Sequence, residues 1–127
     1  MFGDFMKKEK FHILMKTNSS NDEYNLLGEY DREKRKIEFY ESNNLRSKIG
    51  IDINNHILVK DNIDYKITLD LDITKETNGE VDLKKEEKTL NLTLKTNKFE
   101  LKNNKLSMSY IILESNEEII YEIEMGD

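Results

Sequence analysis

Cysteine, proline and tryptophan are absent from this chain, glycine and histidine are scarce, and no stretch of it is continuously apolar for long. Each absence removes a class of explanation. Without cysteine there is no disulfide and no thiolate chemistry, so a reducing compartment, the cytoplasm, is the expected location. The first residues, MFGDFMKKEK, lack the apolar segment of about 7 to 15 residues that a signal peptide needs. Apolar runs such as Tyr110 to Leu113 are far too short to cross a bilayer, so neither secretion nor a membrane partner is expected. Met6-Lys7-Lys8 resembles a second start, and residues 1–9 are expected to form a loosely held extension of a single domain spanning 1–127. Missing proline and tryptophan, together with scarce arginine and abundant lysine, asparagine and isoleucine, look like codon drift in an AT-rich genome and carry no function.

Positive charge is short as well. The net charge of −6 argues against nucleic acid, because phosphate binding needs a concentrated basic surface. The one local basic run, Arg32 to Lys36, reads as a solvated turn between strands. A mean hydropathy of −0.77 and 36% charged residues would suit a disordered chain, yet disordered chains lack sustained periodicity.

Periodicity is what this sequence has in quantity. From Tyr65 to Thr74 the apolar residues Tyr65, Ile67, Leu69, Leu71 and Ile73 alternate with polar ones, as in a half-buried strand. The same pattern gives one apolar face at Phe11, Ile13, Met15, then Ile37, Phe39, then Ile49, Ile51, Ile53. It continues through Ile57, Val59, Val81, Leu83, and through Leu90, Leu92, Leu94, Phe99, Leu101. Leu106, Met108, Tyr110, Ile112 and Ile119, Tyr121, Ile123, Met125 complete it. Asparagine-rich turn signals separate these runs at intervals of about 8 to 12 residues, among them Asn54-Asn55, Thr77-Asn78-Gly79, Thr96-Asn97 and Asn103-Asn104. No segment has a convincing amphipathic helical pattern, so the sheet must cover itself. Short connections favour an all-β, antiparallel up-and-down barrel of about eight to ten strands over a Greek-key sandwich, which needs longer ones.

Beyond Lys36, the runs KIEFYES, SKIGIDINNHILVKD, LNLTLKT and KLSMSYIILES resemble the YwiB-like family of small bacterial proteins. The motifs are Tyr40-Glu41 after a strand, Leu92-x-Leu94-x-Thr96, and Leu106-x-Met108-x-Tyr110. The resemblance implies a calycin-type barrel, lipocalin-like in outline, in a family of unassigned function. It also implies an interior able to hold a small, mostly apolar ligand.

Candidate chemistry is sparse. His12 and His56 are isolated, with no third metal ligand nearby, and neither a metal nor a cofactor is expected. Asp70 and Asp72 share a strand face at a spacing compatible with paired acids, but on the solvated side, where both stay ionised, so no catalytic residue is expected. The tyrosines Tyr40, Tyr65, Tyr110 and Tyr121 carry more information, since a buried ring with a polar tip can line a pocket and fix a ligand. The expected lining of a barrel interior is Phe39, Tyr65, Leu69, Leu92, Tyr110 and Tyr121. The alternatives are a filled barrel acting through its outer surface, alone or as a homodimer, and an enzyme.

Overall fold

The structure, a computed structural model, describes residues 7–41 and 46–126. Ten strands follow one another in chain order: β1 (Lys7–Lys16), β2 (Asn21–Asp31), β3 (Lys36–Tyr40), β4 (Lys48–Asp52) and β5 (Ile57–Asp61), then β6 (Tyr65–Asp70), β7 (Glu76–Leu83), β8 (Lys88–Lys102), β9 (Lys105–Ile112) and β10 (Glu117–Met125). Each pairs antiparallel with its sequence neighbours, and β1 pairs with β10 from Phe11↔Met125 to Lys16↔Ile120, closing the barrel. Closure removes the free strand edges that a sheet of this size would otherwise expose. Of the segment expected to hang loose, residues 1–6 lie outside the described residues. Lys7, Lys8 and Glu9 are strand residues opposite Tyr30, Glu29 and Gly28 of β2.

The alternation delivers the interior in most strands: Phe11, Ile13, Ile37, Ile49, Ile51, Leu94, Leu106, Met108 and Ile123 are all almost completely buried. At Gly28 the inward position must be empty, because a Cβ there would stand 2.2 Å from Cε2 of the Phe11 ring. Glycine is thus required by close approach. Asn103 and Asn104 both adopt positive φ, 52° and 61°, making the two-residue turn between β8 and β9 that their side chains tolerate best.

The structure corrects the sequence reading in five places. Thr77, Asn78 and Gly79 do not form a turn but run through β7, where Gly79 makes room for Leu69 across the pair. Thr96 and Asn97 likewise lie inside the long strand β8, as a bulge between Thr96 and Lys98 that preserves the inward set on both sides of it. Strand β6 ends at Asp70, leaving Ile73 exposed in the following turn. The β4–β5 turn takes in His56 at φ 56°, which shifts the parity of β5, so Leu58 and Lys60 face inward in place of Ile57 and Val59. Strand β2 contributes Tyr24, Leu26 and Tyr30 to the interior, none of which stood out in the sequence.

Candidate ligand pocket at the tyrosine-lined end

One end of the barrel is formed by the β1–β2, β3–β4, β5–β6, β7–β8 and β9–β10 connections. Here the interior is not filled. A cavity of about 240 Å³ remains, with Thr17 of the β1–β2 turn and Glu117 at the start of β10 among the residues that line it. Its walls are apolar side chains from β5, β6, β8, β9 and β10: Leu58, Ile67, Leu69, Leu92, Ile112 and Ile119, with Met15 of β1. Tyr110, Tyr121 and Lys60 supply the polar part of the lining. A larger depression of about 460 Å³ lies on the outer wall beside His12, Asn25 and Leu27, open to solvent. It runs between outward side chains and reaches Phe11, Leu26 and Gly126.

The polar residues at this end form one electrostatic group. Lys60 Nζ lies 2.9 Å from Glu41 Oε1, and the Glu41 side chain is only 6% exposed, against 23% for Lys60. Burial pushes the Tyr110 and Tyr121 phenols well above their ordinary range, and the negative charge of Glu41 raises both further. Tyr24, half-buried, is pushed up to about 12, chiefly by desolvation and then by Glu41 and Asp22. All three phenols therefore stay protonated at neutral pH and can donate. Neither the Tyr110 nor the Tyr121 hydroxyl makes a hydrogen bond within the described residues. A further buried hydroxyl, Thr96 Oγ1, is without a partner and sits opposite Tyr110 in the β8–β9 ladder.

The frame around this group is held by backbone and amide bonds. Glu41 N donates to Ser47 O at 2.8 Å. Asn62 Nδ2 donates to the buried Ser47 hydroxyl at 2.9 Å, and Asn62 Oδ1 accepts from the backbone N–H of Asp64 and of Tyr65, also at 2.9 Å. That Asx-type loop fixes the exit of β5, and with it Lys60. Across the mouth, Asn18 ties the β1–β2 turn to β10 by donating to Asn116 O and accepting from Glu118 N, each at 3.3 Å.

Of the six residues expected to line an interior, Leu69, Leu92, Tyr110 and Tyr121 border this cavity together. Tyr65 is half-buried beside it and acts on Tyr121 through its charge distribution, but does not border the void. Phe39 is buried elsewhere, edge-on to Phe11 with ring centroids 6.1 Å apart. Tyr40 points outward and is 55% exposed, its ring below the Arg46 guanidinium, so the pocket role considered for it is withdrawn. Sequence reasoning missed Glu41 as an interior group, along with Lys60 and Tyr24.

The remaining candidates lie elsewhere. Asp72 is held below the usual carboxylate range by bonds from the Thr74 hydroxyl and backbone N–H, and thus serves the β6–β7 turn. Asp70 is exposed at the end of β6, where its carbonyl accepts from the Thr77 hydroxyl. His12 bonds Asn25 and Glu23 on the outer wall, and His56 stacks on Phe99 at 4.4 Å. Among the described residues no three His, Cys, Asp or Glu side chains are placed to hold a metal ion.

No protein-family model and no curated protein matches the chain. A solved structure does: the crystal structure of the ywiB protein from Bacillus subtilis superposes with a TM-score of 0.59 over 94% of this chain and 91% of that one, at 13% sequence identity. The chain is thus similar to that protein in its closed β-barrel fold.

Proposed function

We propose that this protein is a small-molecule-binding barrel whose site is the cavity lined by β1, β5, β6 and β8–β10, and that it works by binding and not by catalysis. The observation that carries this reading is a cavity walled by aliphatic side chains and lined by two buried phenols that make no hydrogen bond among the described residues. Apolar walls with a few convergent polar groups are the common composition of ligand sites. At about 240 Å³ the void is below the range of drug-sized pockets and equals the room of roughly eight waters, so the ligand is a small, mostly apolar molecule. Support for an aqueous setting, without membrane or nucleic acid, comes from cross-strand pairs on the outer wall such as Lys48–Glu38 and Lys105–Glu122. A lipid-facing barrel would carry an apolar band there. The cytoplasm is the matching compartment for a chain without cysteine.

Native mass spectrometry of protein purified without refolding tests this reading. A small adduct that is released when Tyr110→Phe and Tyr121→Phe are combined is the expected result. A bare monomer that also takes up no small apolar probe would leave a barrel acting through its outer surface, and a clean dimer mass would direct attention to that surface.

A further inference from the structure

Tyr110 and Tyr121 are diagonal neighbours on the inner face. Tyr110 stands opposite Ile119 in the β9–β10 ladder, and Tyr121 follows two residues on, on the same side of the sheet. Diagonal positions of this kind lie about 7–8 Å apart, within reach of aromatic side chains, so two such hydroxyls can serve one ligand atom. Both side chains line the cavity, and neither hydroxyl makes a hydrogen bond among the described residues. Among those residues Thr96 Oγ1 is the side-chain oxygen that is both sealed and without a partner. The two phenol oxygens lack a bond without being sealed, which leaves them open to a ligand. Burial and the negative charge of Glu41 hold both phenols protonated, so each brings a hydrogen to donate. The charge that opposes a phenolate there opposes a ligand anion in the same place. Lys60, the lysine of the lining, already has the Glu41 carboxylate 2.9 Å from its ammonium, and the pair asks no charge of a ligand. A cation would have to shed its water among Leu58, Ile67, Leu69 and Leu92, at a cost a neutral molecule does not meet. As for size, an apolar cavity of about 150 Å³ suffices for benzene, so about 240 Å³ takes a single ring with a short polar head.

We propose that the ligand of this cavity is a small neutral molecule, an apolar or aromatic body bearing one carbonyl-type acceptor oxygen, which receives hydrogen bonds from the Tyr110 and Tyr121 hydroxyls while the body lies against the aliphatic walls. The proposal rests on the binding reading above and adds the charge and hydrogen-bonding class of the ligand.

Four planar probes of nearly equal shape separate the possibilities: acetophenone, α-methylstyrene, benzoate and benzamidinium, titrated against the full chain at neutral pH with amide chemical shifts as the readout. The first carries the acceptor oxygen, the second replaces it with a methylene, and the last two carry a negative and a positive charge. Acetophenone should bind tightest, with α-methylstyrene about fivefold to tenfold weaker and both ions weaker than acetophenone. Shifts should centre on Leu69, Leu92 and Tyr121. The double variant Tyr110→Phe, Tyr121→Phe keeps both rings and removes hydroxyls that hold nothing in the protein, so it should fold. It should bring acetophenone down to the affinity of α-methylstyrene and leave α-methylstyrene no weaker. Equal binding of acetophenone and α-methylstyrene, or indifference of acetophenone to the double variant, overturns the acceptor assignment and leaves the binding reading standing. Tighter binding of either ion than of acetophenone overturns the neutral assignment alone. Failure of all four probes to bind overturns both this proposal and the binding reading.

Discussion

The two halves of the barrel interior are made by the same strands and differ in what those strands bring to the axis. In the half around Phe11 the core residues Phe11, Ile37, Phe39, Ile51 and Ile123 are aliphatic or aromatic and buried, the Phe11 and Phe39 rings meet edge-on, and Gly28 is reduced to backbone so that the Phe11 ring can fit. In the other half the strands bring tyrosines, a lysine and a glutamate, whose tips must be satisfied and cannot be packed over, and a void remains among them. A closed ten-strand sheet has more interior than it needs for a core alone. The comparison shows that this surplus is not spread evenly. One half spends its side chains on stability, and the other keeps space beside the phenols of Tyr110 and Tyr121.

The largest expected difference lies in truncation. Phe11→Ala should cost about 3–5 kcal/mol, since it deletes a ring from the tightly filled half. Leu92→Ala, at a half-buried wall already facing a void, should cost only about 1–2 kcal/mol. Urea unfolding of the two variants checks this, and equal losses would remove the distinction between the halves. Next comes the buried ion pair: Glu41→Gln should destabilise by about 1–3 kcal/mol by leaving the Lys60 ammonium without its partner. Adding Lys60→Met to Glu41→Gln should recover part of that loss, and a double variant as unstable as the sum of the two single ones would show that the pair is not coupled.

Alkaline pH should act chiefly on the tyrosine end, where the phenols are buried, and only slightly on the exposed Lys48–Glu38 and Lys105–Glu122 pairs. The phenols of Tyr24, Tyr110 and Tyr121 lie above their ordinary value of 10.0 in the folded barrel, so their contribution to stability is complete below pH 10 and lost as pH rises through the folded values, about 12 for Tyr24 and well above 10.0 for the two buried rings. Thermal unfolding midpoints should therefore fall steeply above pH 10, and tyrosinate absorbance of these rings should appear together with unfolding. Ionisation of all the tyrosines before any loss of structure would contradict the burial. The smallest effect belongs to the outer wall. His12 is raised above 6.5 chiefly by its bond to Asn25 and also by Glu23, so its slight stabilisation is present below pH 6.5 and lost as pH rises through the folded value. An NMR titration of the His12 ring should have its midpoint above 6.5, and a midpoint at or below that value would mean that the Asn25 and Glu23 contacts do not persist.

The barrel was legible because period-two alternation with short turns leaves few other ways to cover a sheet. Legibility failed where the alternation is masked. In β2 the inward set runs Tyr24, Leu26, Gly28, Tyr30, so a glycine occupies one core position while the outward Leu27, 65% exposed, imitates one. In β5, Ile57, Leu58 and Val59 form a continuous apolar run whose parity only the preceding turn decides, and with that parity unknown Lys60 could not be placed indoors. Glu41 stood beside Tyr40 in the sequence, but the tyrosine turned out and the glutamate turned in. Charged residues at inward positions run against the pattern that reveals a strand, so the groups nearest the cavity's polar end were the hardest to see. The aliphatic walls, Leu69 and Leu92, and the rings of Tyr110 and Tyr121 follow the pattern, and the alternation places them on the inward face where they border the cavity.

The central claim is that the tyrosine-lined half encloses an accessible, largely apolar void while the other half is solid. Crystals of the protein pressurised with xenon test it most directly, because xenon enters apolar cavities without needing a polar partner. The account predicts one ordered xenon site bounded by Leu69, Leu92 and Tyr121, and none beside Phe11 or Ile123. A barrel that takes up no xenon between those walls, or takes it up beside Phe11, would contradict it.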